Sequence, residues 1–462
     1  MMLTDDVCRY RVLIQTGGRM DKGRSVDWKV IVILAVLITP PLLFYIIYAI
    51  VFGIYPSLKY PGVTMNVPEQ SINRAVLYNS IQNSSFKTNF QLKERKANYV
   101  KTYKLVCYYS LPTTADSLQV DELDPYLCTH INVAFAKVVN NSILINDSQK
   151  ESLEKLVNLK NINKDLKILM SVGGSGNDVG FPEMISNHKN RKSFIQSVRS
   201  YVKNFKIDGV DLDWEFPNEH QKVHFTQLLE EFRKSINRNP NYPYLLTVAV
   251  AAPYTIVDSS YAVSYMNEFV DFINLMSYDY HFYTRETPFT GINSPLYASD
   301  NEKFIFSTLN VNFSAYYWNH SGMERSKIII GLPTYGHTFR LANPNNNGMY
   351  APALGYGELG NSGFVDFPQL CQFLASNQIT PIFDMENKSP YAFKGYEWVS
   401  FDNSQSLRYK AEYIRDNRFG GAMVWCLNSD DYKGLCQSEN GGGKRFPLIS
   451  TIKNVFANGN QL

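Results

Sequence analysis

Beyond residue 103 the chain alternates between short apolar runs and longer stretches of helical periodicity. The apolar runs fall at 105–109, 131–136, 168–172, 209–214, 245–251, 272–277, 328–332 and 422–425. Each is short enough for a buried strand and rich in β-branched or aromatic residues. Helical spacing of apolar positions marks 148–159, 191–203, 221–236, 404–416 and 447–456. Eight strands with intervening helices predict an α/β fold, a (β/α)8 TIM barrel of parallel strands. A doubly wound sheet is the other arrangement the pattern admits. No helix is visible between the first two strands. About ninety residues separate the seventh and eighth, more than one crossover needs. A small α+β insertion at about 336–400 is the expected use of that length.

Before the barrel the pattern changes. Residues 30–54 form an uncharged apolar run of 25, interrupted by Pro40 and Pro41. That length spans a bilayer and exceeds a signal-peptide core. Arg9, Arg11, Arg19, Lys22, Arg24 and Lys29 precede it, and Lys59 alone follows closely. Basic flanks stay cytoplasmic. The expectation is a cytoplasmic tail (1–29), a transmembrane signal-anchor helix (30–54), a stem (55–101) rich in Asn, Gln, Ser and Lys, and the barrel (102–462). This is a single-pass type II membrane protein with its barrel extracellular or lumenal. A cleaved signal is the alternative, but no small-residue cleavage site follows cleanly.

Cysteines and glycan acceptors fit that topology. Cys8 lies in the tail, and five cysteines lie beyond the span. Five is odd, so one is left over. Cys426, in a predicted buried strand, is the expected free thiol. N-x-S/T acceptors occur at Asn83, Asn140, Asn146, Asn312 and Asn319. The motif at Asn387 is weaker, because Pro390 follows it.

Charge adds little. There are 45 basic and 42 acidic residues, a net charge of +3, which gives no reason to invoke nucleic acid. Aromatics at 14% suit either a sugar-stacking surface or a large core.

The candidate chemistry is concentrated in D-G-V-D-L-D-W-E-F-P at 208–217. On a strand, Asp211, Asp213 and Glu215 share a face and stand roughly 6–7 Å apart. Carboxylates this close cannot all ionise cheaply, so a proton is held among them. A protonated acid beside ionised ones is what glycosidic-bond cleavage requires. Asp208 has the opposite parity and belongs at the strand entrance in a structural role. A metal site is disfavoured, because Val210, Leu212 and Trp214 interleave with the acids where a calcium loop uses small polar residues. No metal or cofactor is called for. Further groups stand at other strand ends: Ser171-Val-Gly-Gly174, Met276-Ser-Tyr278-Asp279 and Trp425. Catalytic groups collect at such ends in barrels.

The pattern D-x-x-D-x-D-x-E at 208–215 resembles the signature of glycoside hydrolase family 18, the chitinases and chitinase-like proteins. S-x-G-G at 171–174, M-x-Y-D at 276–279, G-I-N-S-P-L-Y at 291–297, G-L-P-T-Y-G at 331–336 and G-A-M-V-W at 421–425 resemble it too. The resemblance covers about 103–456. It implies retaining, substrate-assisted, endo-acting hydrolysis of β-1,4 bonds in chitin or chitooligosaccharides. Glu215 would be the acid. Asp213 would orient the substrate acetamide, Asp211 would share its proton, and Tyr278 would bind the acetamide carbonyl. Trp425 would form the floor under the sugar, with Tyr108, Asp279 and Met276 in supporting contact. The resemblance also implies the disulfides Cys107–Cys128 and Cys371–Cys436. Three positions depart from the common family pattern: Ser175 replaces a Trp, His337 an Arg and Asn428 an acid. Two other readings stand beside the chitinase: a glycan-binding protein without catalysis, and an endo-β-N-acetylglucosaminidase acting on N-glycans.

Overall fold

The computed structural model describes residues 103–436 and 443–458. The tail, the candidate span and the stem lie outside these residues, as do Asn83 and Cys8. Among the described residues no helix is long and apolar enough to cross a membrane.

Among the described residues fifteen strands follow in chain order. They begin with β1 (Lys104–Ser110), β2 (His130–Val139), β3 (Ser142–Leu144), β4 (Lys167–Gly173) and β5 (Gly209–Asp213). Next come β6 (Leu245–Ala251), β7 (Phe272–Met276) and β8 (Ile328–Pro333). An inserted group comprises β9 (Tyr335–Leu341), β10 (Ala353–Gly355), β11 (Phe364–Asp366), β12 (Ile382–Asp384), β13 (Ser389–Lys394) and β14 (Glu397–Ser400). The last is β15 (Gly421–Trp425). Eight of them, β1, β2, β4, β5, β6, β7, β8 and β15, pair in parallel, and β1 closes the ring by pairing with both β2 and β15. This is the (β/α)8 barrel, and closure removes the doubly wound alternative.

Alternation along the strands builds two cores. One parity (Leu105, Cys107 and Tyr109 on β1) packs outward under the helices. The other (Val106, Tyr108, Ala249, Phe272, Met423) fills the barrel. The covering helices carry their apolar residues at helical spacing. Lys222–Asn237 buries Phe225, Leu228, Leu229, Phe232 and Ile236. Helix His188–Phe205 begins at Asn187, whose side chain accepts from the Asn190 N–H. Between β1 and β2 the regular structure is a single 3-10 turn, Val120–Glu122, so there was no first helix to find in the sequence.

The insertion lies between the seventh and eighth barrel strands. Its antiparallel sheet runs β10-β9-β14-β13-β12, with β11 on β9. Ile292, Phe339, Leu341 and Trp398 form its own small core. Only Thr334 separates β8 from β9, so the lobe is anchored directly at the barrel mouth.

Both implied disulfides are present, Cys107–Cys128 and Cys371–Cys436. Cys426 corrects an expectation: it is disulfide-bonded, not free. Its complete burial was read rightly, but burial alone does not distinguish a thiol from a bonded sulfur.

Candidate active site

Parallel pairing brings the acid row to the barrel mouth. Asp211 lies inside the barrel in register with Ser171 on β4 and Thr247 on β6. Its carboxylate collects four donors from four strands. Tyr108 Oη and Ser171 Oγ each donate to Oδ2 at 2.7 Å. Thr247 Oγ1 donates to Oδ1 at 2.6 Å and Asn274 Nδ2 at 3.0 Å. Burial raises the Asp211 pKa, and the four hydrogen bonds oppose that rise. These contacts fasten Asp211 to Tyr108, Ser171, Thr247 and Asn274.

Asp213 sits one layer nearer the mouth, opposite Gly173, and is buried. Gly173 has φ +110°, and a Cβ there would stand 2.0 Å from the Asp213 carbonyl oxygen. Gly174 donates its N–H to that same oxygen at 2.7 Å. The glycine pair therefore serves close approach of β4 to the acid strand.

Glu215 lies two residues past the end of β5 and is half-buried. It lines a cavity with Phe216, Met276, Tyr278 and Asp279. Tyr278 is buried, and its hydroxyl reaches Met423 Sδ at 3.8 Å. Burial raises the Tyr278 pKa, and the nearby Asp213, Asp279, Glu215 and Asp211 raise it further, so it stays a neutral donor. Tyr108 is held neutral the same way, by burial and then by Asp211 and Asp213.

Trp425 is packed by Phe135, stacked at 5.5 Å and 18°, and by Tyr108 at 5.2 Å. Phe135 was not singled out from the sequence. By strict alternation it would face the helices, but the β2 register slips between Val133 and Ala136. That irregularity turns Phe135 into the mouth.

Asp279 adopts φ +56° and is held by three groups. Asn293 Oδ1 accepts its N–H at 2.8 Å, while the Tyr335 hydroxyl and His337 Nε2 both reach its Oδ1. Asn293 also uses its Nδ2 on the Tyr335 carbonyl at 3.4 Å and its N–H on Ser400 Oγ at 3.1 Å. The motif at 291–297 thus ties the loop after β7 to the insertion. Thr247, Asn274, Asn293 and Tyr335 were all missed as site-supporting residues. An inward-facing polar residue on a buried strand is the signal that marks the first two.

The departures acquire contacts. Asn428 accepts the Ser110 N–H at 2.9 Å and donates to the Ser110 carbonyl at 3.0 Å. A carboxylate could not make the second bond. Asp208 stands at the strand entrance as expected, paired with Lys160 at 2.7 Å. Of the acceptor asparagines, Asn140 and Asn146 are exposed and Asn312 and Asn319 are half-buried. Asn319 Nδ2 already donates to the Met323 carbonyl.

Fold and site together define a (β/α)8 barrel with a row of acids at its mouth, a tyrosine among them and a tryptophan beside them. The family model for Glycosyl hydrolases family 18 matches residues 104–430, and the chain belongs to that family. Chitotriosidase-1 of Mus musculus is 36% identical over 369 residues, covering 76% of this chain and 77% of its own. An immunomodulatory active chitinase from Trichuris suis is similar in structure, with TM-score 0.73, 32% identity and coverage of 76% of this chain and 99% of that one. Human YKL-39, described as a pseudo-chitinase with retained chitooligosaccharide binding, is equally similar: TM-score 0.73, 33% identity, and coverage of 77% and 100%.

Proposed function

We propose that the chain hydrolyses β-1,4 bonds between N-acetylglucosamine units of chitin or chitooligosaccharides, with retention. The observation that carries this is Glu215 itself, half-buried in a cavity that also holds Tyr278 and Asp279. In this reading the Glu215 carboxyl gives its proton to the glycosidic oxygen as the C1–O bond breaks. The substrate's acetamide oxygen attacks C1 and forms a cyclic oxazolinium ion. Asp213 orients the acetamide N–H and balances the cation, and Tyr278 donates to the acetamide oxygen. Water then attacks C1 and returns a proton to the Glu215 carboxylate. Asp211, with its four donors, fixes the base of the row. Trp425 supplies the apolar floor. No metal or cofactor enters.

A second reading is glycan binding without hydrolysis. It is favoured by the likeness to YKL-39 and by Ser175, which offers no stacking ring where many family members have Trp. Glu215 argues against it, since non-catalytic members characteristically lack that acid. The barrel is proposed to stand outside or in the lumen, anchored by residues 30–54. The test is product analysis with the purified full chain on chitin oligomers and on an N-glycosylated protein. Shorter β-1,4 oligomers with retained anomeric configuration support the chitinase. Binding without products supports the second reading. Cleavage of the glycoprotein alone would point to an endo-β-N-acetylglucosaminidase.

A further inference from the structure

The loop between β10 and β11 presents an aromatic ring to solvent. Tyr356 is 39% exposed, and its hydroxyl makes no hydrogen bond among the described residues. Unbroken contacts tie this ring to Asp279. His337 Nε2 lies 2.7 Å from Asp279 Oδ1, and His337 Nδ1 lies 3.1 Å from the Gly363 carbonyl oxygen. Gly363 has φ +84°, and a Cβ there would stand 2.4 Å from the Tyr356 ring, so the ring packs directly on that backbone. On the loop after β7, Phe282 lies 5.6 Å from the His337 ring. Its neighbour Tyr283 meets Tyr356 edge-on at 5.5 Å. Both are half-buried. From Asp279 outward the wall runs through His337, Phe282 and Tyr283 to Tyr356.

The ring is fixed in place by its flanks. Glu397 Oε2, on β14, accepts the Glu358 N–H at 2.7 Å, and a Cβ at Gly357 would stand 2.0 Å from Glu397 Oε1. Thr338 Oγ1 donates to the Leu359 carbonyl at 3.3 Å. On the other side of Tyr356, the Tyr283 hydroxyl donates to the Leu354 carbonyl at 3.2 Å. A single exposed tyrosine is ordinary. One whose loop is fastened on both sides, and whose wall leads back to the cavity of Glu215, is preorganised to bind. A pyranose offers an apolar C–H face rimmed by hydroxyls, which suits an aromatic ring bearing a hydroxyl of its own.

We propose that Tyr356, backed by Tyr283, is a sugar-stacking platform carried by the inserted lobe. It takes a further N-acetylglucosamine ring of a chain whose reacting ring lies over Trp425, and so rests on the chitin-oligomer reading of the site. It supplies from the lobe a stacking surface that Ser175 does not offer from the loop after β4.

The experiment measures calorimetric binding of chitin oligomers of two to six units to the full chain carrying Glu215→Gln, so that no oligomer is consumed. Affinity should rise with length. Adding Tyr356→Ala should weaken binding of the hexamer about fivefold, the scale of one aromatic stacking contact, and leave the dimer as it was. Tyr356→Phe keeps the ring and should keep most of the hexamer affinity. Thermal melts confirm that these changes at an exposed position leave the fold intact. Unchanged hexamer affinity in Tyr356→Ala overturns the proposal. So does an equal loss at every length, which would place the effect on Asp279 through Gly363 and His337. Affinity that does not rise from dimer to hexamer, or no binding of any oligomer, overturns it as well. The proposed hydrolysis fails separately: if the parent yields no products while the length dependence and its loss in Tyr356→Ala persist, the platform stands and catalysis does not.

Discussion

His337 Nε2 lies 2.7 Å from Asp279 Oδ1, the same oxygen that the Tyr335 hydroxyl reaches. Both partners are nearly buried. Asp279 lines the cavity beside Glu215 and sits in the left-handed region of backbone space, so it needs support from its side chain. His337→Ala should leave the fold intact and lower kcat/KM on chitin oligomers about tenfold, the cost of one buried hydrogen bond to a carboxylate. Steady-state kinetics with a circular-dichroism control checks this. An unchanged kcat/KM would mean that Tyr335 and Asn293 suffice.

Glu215→Gln keeps the size of the side chain and removes the transferable proton. Turnover should fall about 10³-fold, within the range for general acid catalysis. Affinity for a chitin oligomer should be retained, because the stacking and acetamide contacts belong to other residues. Calorimetric binding beside a product assay separates the two. Turnover near the parent value would remove Glu215 from the role of acid.

Gly174→Ala tests the mouth of the barrel. Its φ is +86°, and an added Cβ would meet the Phe135 ring at 2.5 Å. Phe135 is stacked on Trp425, so the methyl group must displace one wall of the sugar floor. Oligosaccharide affinity should drop about tenfold, with a lowered melting temperature from strain in the positive-φ region. Tryptophan fluorescence during oligomer titration reads both. Parent-like affinity would show that Phe135 can move without cost to the floor.

The barrel and the acid row were legible because both depend on short-range alternation. Asp211, Asp213 and Glu215 share a face by strand parity alone, and the glycines and Tyr278 fall at strand ends. What was hidden depends on pairing across strands. Thr247 and Asn274 meet Asp211 only through the register of β5 with β6 and of β6 with β7, which no local pattern states. Phe135 was hidden by an irregularity that breaks the parity the reading relied on. Asn293 sits in a motif noticed in the sequence, but its task, joining Asp279 to β9, spans a loop and an inserted sheet. The left-over cysteine was misassigned for a related reason: burial is local and pairing is not.

Asp430 gives the pH dependence of stability a specific source. It is fully buried, and burial raises its pKa from the ordinary 3.8 to about 7. N–H groups of Asp431, Leu448 and Ile449 oppose that rise, the last two from the start of helix Pro447–Asn458. The folded state therefore holds a proton that the unfolded chain releases near pH 4. The stabilising contribution is complete below about pH 4 and is lost as the pH rises through about 7. Two buried histidines act in the other direction. His130 and His281 are lowered by burial from 6.5 to about 4, so their contribution is present above pH 6.5 and is lost as the pH falls toward 4. From about pH 6.5 to about 8 all three titrate, because the unfolded histidines release their protons there while folded Asp430 releases its own, and the opposed contributions nearly cancel. The parent's melting temperature should therefore stay nearly level over that window. Asp430→Asn should remove the falling contribution and leave a melting temperature that rises with pH, whatever it costs in overall stability by turning an amide N–H toward the Ile449 N–H. Thermal melts at half-unit steps decide the matter. A parent-like slope in the variant would show that Asp430 keeps its charge at the start of the helix and that the three N–H groups outweigh its burial.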